Sequence, residues 1–304
     1  MALTKIQNEM LNTEVFRTRK NVIINGNFDV WQRGTSFVTS GYCADRWKFS
    51  EQDGTATLTR QTFTLGQTNV PNDPTYYLNH DQTVSASTKP FLEQRVESVR
   101  TFANKTVTVS FYGKVGASTV VVNPLLRQHF GTTGSPSADV DTTATDITLT
   151  TSWQKFTRTI TLPSISGKTL GSDGNDYLGL VLQFPSSATY SIDIAQVQVE
   201  EGDIATNYEM KSIGEEISLC QRYYSFGEKR NVFYGSLGAG GGQITISFLS
   251  EMRVTPSVTS TVISENSTFV SNTNITTDGF NILYTTATTG QQDNHRSWTA
   301  DAEL

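Results

Sequence analysis

Apolar and polar side chains change places at every residue in the best-formed segments of this chain. Val107, Val109 and Phe111 alternate with Thr106, Thr108 and Ser110, and Leu178, Leu180, Leu182 and Phe184 share one side of a later segment. Near the end, Ile244, Ile246 and Phe248, then Phe280, Ile282 and Tyr284, repeat the pattern. A period of two places alternate side chains on one face of an extended strand, so these segments specify strands that bury a single face. Residues 22–24, 45–49, 56–62, 76–78, 91–96, 120–122, 125–130 and 153–162 add further strand candidates, and 254–262 and 267–274 continue the series. Short strands, long irregular connections and no useful amphipathic helix between them predict an all-β chain whose main part is a two-sheet sandwich.

One stretch joins the two blocks of strands. Ile192, Ile194, Val197 and Val199 read as a buried strand whose phase changes near Ala195 and Gln196, as a bulge would produce. Ser212 stands three residues before Glu215, the capping-box spacing, so a helix starts there. Ile213, Ile217, Cys220 and Tyr224 follow at spacings of four, three and four and are assigned to one packing face, against the neighbouring domain or another subunit. A helix this short needs a surface to dock on. The expected organisation is an attachment arm over 1–20, a β-sandwich over 21–208, a linker and short helix over 209–225, and a small distal β domain over 226–304. Such a thin distal core is expected to finish its burial in an oligomer.

At 304 residues the chain is long enough for two cores, and its formal net charge of −6 lacks the footprint of a nucleic-acid binder. Residues 1–20 mix Lys5, Glu9, Glu14, Arg17, Arg19 and Lys20 with scattered apolar positions, which suits neither a signal peptide nor a membrane span. The expectation is a protein made in a cytoplasm, with no membrane insertion. Cys43 and Cys220 have no metal-ligand spacing and read as buried thiols.

The segments NVIINGNF (21–28), WQRG (31–34), ADRW (44–47), AQVQVEEGDIATNY (195–208) and LCQRYY (219–224) together resemble a bacteriophage family of tail fibre and other virion structural proteins. More distantly, the opening NGNF turn, the 153–162 segment and the strand through Val199 resemble carbohydrate-binding modules of the jelly-roll type. The resemblance implies a jelly roll on the exterior of a virion, in a tail or on a capsid surface. It also implies a homotrimer that contacts a host-surface glycan. The resemblance spans about residues 21–224, and the arm over 1–20, which lies outside it, is separately expected to attach to other virion proteins. The alternative it leaves is a decoration or connector protein that binds no glycan. In those modules an acidic residue after the opening turn and paired aspartates in the last strand hold calcium. Asp29 matches the first, but Ala195 and Gln196 occupy the paired positions, so no metal or other cofactor is expected, although Asp193 lies nearby.

Glycan binding needs aromatic faces beside polar groups. Trp31, Tyr42, Trp47, Trp153, Trp298 and the Tyr76–Tyr77 pair are available, and Tyr42 and Tyr76, in or beside polar loops, are the candidate glycan-binding residues. Trp31 and Trp47 are expected to pin the opening loop to the sandwich. A glycosidase needs two carboxyl groups across a cleft. Glu200 and Glu201 are adjacent on a strand, point to opposite faces, and suit solvation or a turn. No catalytic residue is assigned, and the glycine run at 235–242 lacks the Lys-Ser/Thr ending of a phosphate loop.

Overall fold

The computed structural model describes residues 21–235, 241–265, 267–286 and 289–304. The attachment arm expected over 1–20 and the middle of the glycine run lie outside the described residues. The chain clusters into two units. The first holds residues up to Asp29, Thr35–Cys43 and Trp47–Met210, and the second holds Val30–Gly34, Ala44–Arg46 and Lys211–Leu304.

The first unit is an antiparallel β-sandwich. Its strands are β1 (Ser36–Phe37), β2 (Gly41–Tyr42), β3 (Trp47–Ser50), β4 (Thr55–Thr62), β5 (Tyr76–Val84), β6 (Phe91–Glu97) and β7 (Thr106–Val115). They continue with β8 (Val120–His129), β9 (Val140–Thr143), β10 (Ile147–Leu149), β11 (Gln154–Thr161), β12 (Tyr177–Gln183) and β13 (Tyr190–Glu201). Sheet I has the order β1-β4-β5-β13-β7-β11, and sheet II the order β10-β8-β12-β6-β3-β2, with β9 also paired to β8. The strands β6, β7, β8, β11, β12 and β13 fall alternately in the two sheets, the criss-cross of a jelly roll. The inner faces meet through the residues that alternation selects: Val107, Val109 and Phe111 of β7 and Leu178, Leu180 and Leu182 of β12 are all buried. His80 is also buried here, with its ring 5.0 Å from that of Phe49 and 4.7 Å from that of Phe184. It is a core group.

Local chemistry explains two departures from the expected strands. Residues 22–24 form no strand, because their backbone donors are met one at a time: Val22 N–H by the Val199 carbonyl, Ile23 N–H by Asn21 Oδ1 and Ile24 N–H by Gln94 Oε1. The turn that follows is built as its residue types suggest, with Asn25 at φ 55° and an added Cβ on Gly26 running into the Val197 carbonyl. Segments 120–122 and 125–130 are one strand, β8, running through Pro124. The Pro124 carbonyl accepts from Ala144 N–H, so its missing N–H faces that side, where β10 has ended and β9 begins, and the ladder to β12 stays intact.

The second unit opens with α1 (Ile213–Gln221) and continues through β14 (Tyr224–Gly235), β15 (Gly241–Ser247), β16 (Ser257–Glu265), β17 (Thr268–Thr273), β18 (Gly279–Thr285) and β19 (Gly290–Asp301). Two antiparallel sheets result, β14-β19-β16 and β15-β18-β17. Ile244, Ile246, Met252, Phe280, Ile282, Tyr284, Trp298 and Ala300 form their core. Ser212 caps α1 by accepting from Glu215 N–H at 3.2 Å. The expected stripe along this helix is corrected at both ends. The helix stops at Gln221, so Tyr224 begins β14, and the buried helical residues are Glu216 and Cys220. Ile213 and Ile217 are 57% and 38% exposed.

Trp31, Arg33, Asp45 and Arg46 belong to this second unit. The Arg46 guanidinium lies over the Tyr223 ring and pairs with Glu303, while Arg33 lies 3.6 Å from the centre of the Tyr224 ring and 3.2 Å from Glu303. Trp47 holds the opening turn of the sandwich, through Nε1–H donated to the Asn25 carbonyl at 3.0 Å and a ring contact with Phe28. Among the described residues, no helix is long and apolar enough to cross a membrane.

Candidate binding face on the sandwich

Antiparallel register places directly paired residues on the same face of a sheet. Across sheet II, Tyr42 pairs with Lys48, Lys48 with Glu93, and Glu93 with Val181. One row further, Arg95, Gly179, Arg127 and Asp141 follow one another, and beyond them Glu97, Tyr177 and His129. All lie on the outer face, because the intervening residues Trp47, Leu92, Leu178, Leu180 and Leu126 fill the core.

The floor of this face is a polar trough. Glu93 is only 1% exposed, its Oε2 accepts from Arg95 Nε at 2.9 Å, and its Oε1 has no hydrogen-bond partner. Gly179 makes room for it, since a Cβ there would stand 3.1 Å from Glu93 Oε1 and 3.2 Å from the Tyr177 ring. Arg127 is held by a two-pronged pair with Asp141 at 2.8 Å on both arms. The Tyr177 ring is stacked on His129 at 4.5 Å and capped by the Arg95 guanidinium at 4.6 Å, and His129 Nδ1 lies 2.8 Å from Asp139.

Burial and charge act together on these groups. Burial, followed by the Glu93 charge, pushes the Tyr177 phenol up to about 12. Burial opposes the Arg95 charge, but Glu93, Tyr177 and Tyr42 more than offset it and its pKa is raised. Burial, followed by Arg95, lowers Lys48, and the hydrogen bond Arg127 donates to Asp141 raises the Arg127 pKa further. The face therefore holds fixed donors, one unmet carboxylate oxygen and flat rings, a set suited to hydroxyl groups on a ring-shaped ligand.

Of the two glycan-binding candidates, Tyr42 stands in this group. Tyr76 does not: it lies on the inner side of β5 with Leu78 and His80, its ring 4.4 Å from the Arg60 guanidinium. Its neighbour Tyr77 faces outward from sheet I, where it packs on Phe63 at 4.7 Å and Trp153 at 5.4 Å. Trp298 is in the core of the second unit, packed on Phe248 and Phe280. Asp29 accepts from Asn27 Nδ2 at 2.9 Å, and among the described residues no cluster of three or more acidic, His or Cys side chains is arranged to hold a metal. Glu200 is buried rather than solvated, accepting from Thr206 N–H and Oγ1 and from Gln198 Nε2. Glu93, Arg95, Arg127, Tyr177 and Gly179 escape a reading of the sequence. The available signal is charge at the outward phase of apolar strands, in FLEQRVE and LLRQH.

No family model and no curated protein matches the chain. Among solved structures, a sugar-binding protein candidate from Bacteroides thetaiotaomicron is similar at 13% identity and a TM-score of 0.39, over 60% of this chain and 100% of that one. A CBM22-1 xylan-binding domain from Paenibacillus barcinonensis is similar at 11% identity and a TM-score of 0.37, over 62% and 100%. The enzymatically active domain of tailspike protein 4 from bacteriophage CBA120 is similar at 11% identity and a TM-score of 0.38, over 60% of this chain and 21% of that one.

Proposed function

We propose that this chain is a non-catalytic phage virion protein of the tail-fibre or adhesin kind, which holds a host-surface glycan on the outer face of sheet II. The observation that carries the reading is Glu93 Oε1, buried and without a partner above the gap left by Gly179. A buried carboxylate oxygen left unmet costs stability, and a ligand hydroxyl supplies the missing donor. The resemblance of segments 21–28, 31–34, 44–47, 195–208 and 219–224 to phage fibre proteins supports the virion setting, and a homotrimer would link several weak sites into one strong attachment. Glycan arrays with the intact protein test it. Binding that is lost in Glu93→Gln and Tyr42→Ala, with the sugar recovered uncleaved, supports the reading, whereas silence on host-surface sugars removes it.

The second reading is a decoration or connector protein. It is favoured by apolar side chains exposed on the second unit: Ile213 and Ile217 on α1, and Phe226, Val232 and Tyr234 on one side of β14. A virion neighbour or a sister subunit would cover them. Unchanged adsorption of particles carrying Tyr42→Ala, together with particle instability when Ile217 is made charged, selects this reading.

A further inference from the structure

The outer face of sheet I carries a separate polar cavity. Strand β13 is bulged between Ala195 and Gln198, and Gln196 sits in the bulge at φ 51°. A residue with a Cβ held there costs on the order of 1 kcal/mol, and a bulge re-aims the side chain it carries. The side chain is 2% exposed, and its Nε2 donates to the Pro71 carbonyl at 2.8 Å. A carbonyl can only accept, so this bond fixes which end of the amide is nitrogen. Gln196 Oε1 is left without a partner.

Gln196 lines a cavity of about 140 Å³ with Pro71, Tyr112, Lys155, Asn207 and Tyr208. That is the space of about five waters at roughly 30 Å³ each, enough for one sugar ring and too small for a nucleotide or a folded peptide. Among the described lining residues Lys155 alone carries a charge. The occupant must therefore donate a hydrogen bond to Gln196 and tolerate or prefer a cation a short distance away. Two residues back along the chain from Lys155, Trp153 packs on Phe63 at 5.2 Å and on Tyr77, with Lys114 Nζ 5.5 Å from its ring. Lys114 in turn pairs with Asp193 at 3.1 Å, and Asp193 accepts from Asn79 Nδ2 at 2.7 Å. A half-buried aromatic platform edged by a lysine, a carboxylate and an amide favours a second sugar ring over a bare anion.

We propose that this cavity is a second glycan subsite, which takes an acidic sugar unit: Gln196 Oε1 accepts from a ring hydroxyl, Lys155 faces the carboxylate, and the next ring lies against Trp153. It does not depend on the groove of sheet II. The test is titration of the intact protein with glucuronate and with glucose, followed by ligand-observed NMR. The expected result is glucuronate binding with a Kd on the order of 1–10 mM, at least about tenfold tighter than glucose. Lys155 Nζ also donates to the Thr206 carbonyl, so Lys155→Met is expected to erase that preference with the fold retained at a modest cost in melting temperature, and Gln196→Leu to weaken both sugars. Should Gln196→Leu fail to fold, Lys155→Met, which alters a half-buried surface side chain, still decides the matter. Equal affinity for the two sugars, a preference that survives Lys155→Met, or no binding at about 50 mM overturns the proposal. So does glucuronate binding that disappears in Glu93→Gln while surviving Lys155→Met, which assigns it to the groove.

Discussion

The guanidinium carbon of Arg46 lies 3.3 Å from the centre of the Tyr223 ring. The two residues come from sequence motifs far apart in the chain, ADRW and LCQRYY, and both belong to the second unit. Arg33 repeats the arrangement on Tyr224, and Glu303 accepts from both arginines. Burial raises the Glu303 carboxyl pKa, and the charges of Arg46 and Arg33 pull it back down. These residues act as one buried polar knot, in which each charge is tolerable because the others are present.

Arg46→Lys should therefore be costly although it keeps the charge, since an ammonium cannot stack its plane on Tyr223. A loss of about 2 kcal/mol is expected for it and for Tyr223→Leu, and the double variant should fall short of their sum by about 1 kcal/mol. Denaturant unfolding of the four proteins measures the coupling, and strict additivity would contradict the stacking account.

The stability of the sandwich should depend on His80 between pH 6.5 and 4. Burial, partly opposed by the hydrogen bond to Gln82, lowers the His80 pKa from 6.5 to about 4. Below 6.5 the unfolded chain binds a proton that the folded chain refuses, so the stabilisation is complete above that pH and is lost as pH falls toward 4. The full effect of this one group is about 3 kcal/mol. His80→Gln should flatten that part of the stability-against-pH curve, and a slope that persists in the variant would assign the effect to other groups.

Gly179→Ala is expected to separate binding from folding. The added methyl crowds Glu93 Oε1 and the Tyr177 ring by a few tenths of an ångström, a cost of about 1 kcal/mol that the sandwich survives. Glycan binding on sheet II should drop at least about tenfold, because the methyl fills the space over the unmet carboxylate oxygen. Titration beside thermal melting checks both halves.

Tyr42→Ala and Tyr76→Ala should behave oppositely. Tyr42 shares a row with Lys48 and Glu93, so its loss weakens glycan binding, whereas Tyr76 packs against Arg60 on the other sheet, so its loss lowers stability and leaves affinity alone. Equal effects on binding would place the glycan elsewhere.

In the second unit, Ile213→Glu with Ile217→Glu should reduce the proposed homotrimer to monomers with little change in secondary structure, since both side chains are exposed in the single chain. Light scattering gives the mass directly. A variant that remains trimeric assigns the interface to another surface.

The sequence alone determined the elements whose side chains carry their own period. The Thr106–Val115 and Gly279–Thr285 strands, the bulge after Ala195 and the Ser212 cap were readable there, because alternation, spacing and capping are local properties of neighbouring residues. Tertiary structure decided what depends on partners distant in the chain. It merged two segments across Pro124, since only the gap between β9 and β10 makes that proline harmless. It turned Tyr77 outward and Tyr76 inward, a one-residue difference of phase set by the strand's buried neighbours. It also set Tyr42, Glu93, Arg127 and Tyr177 side by side, although more than a hundred residues separate the first from the last. Cross-strand register, on which that face depends, is a relation between segments and is written in none of them singly.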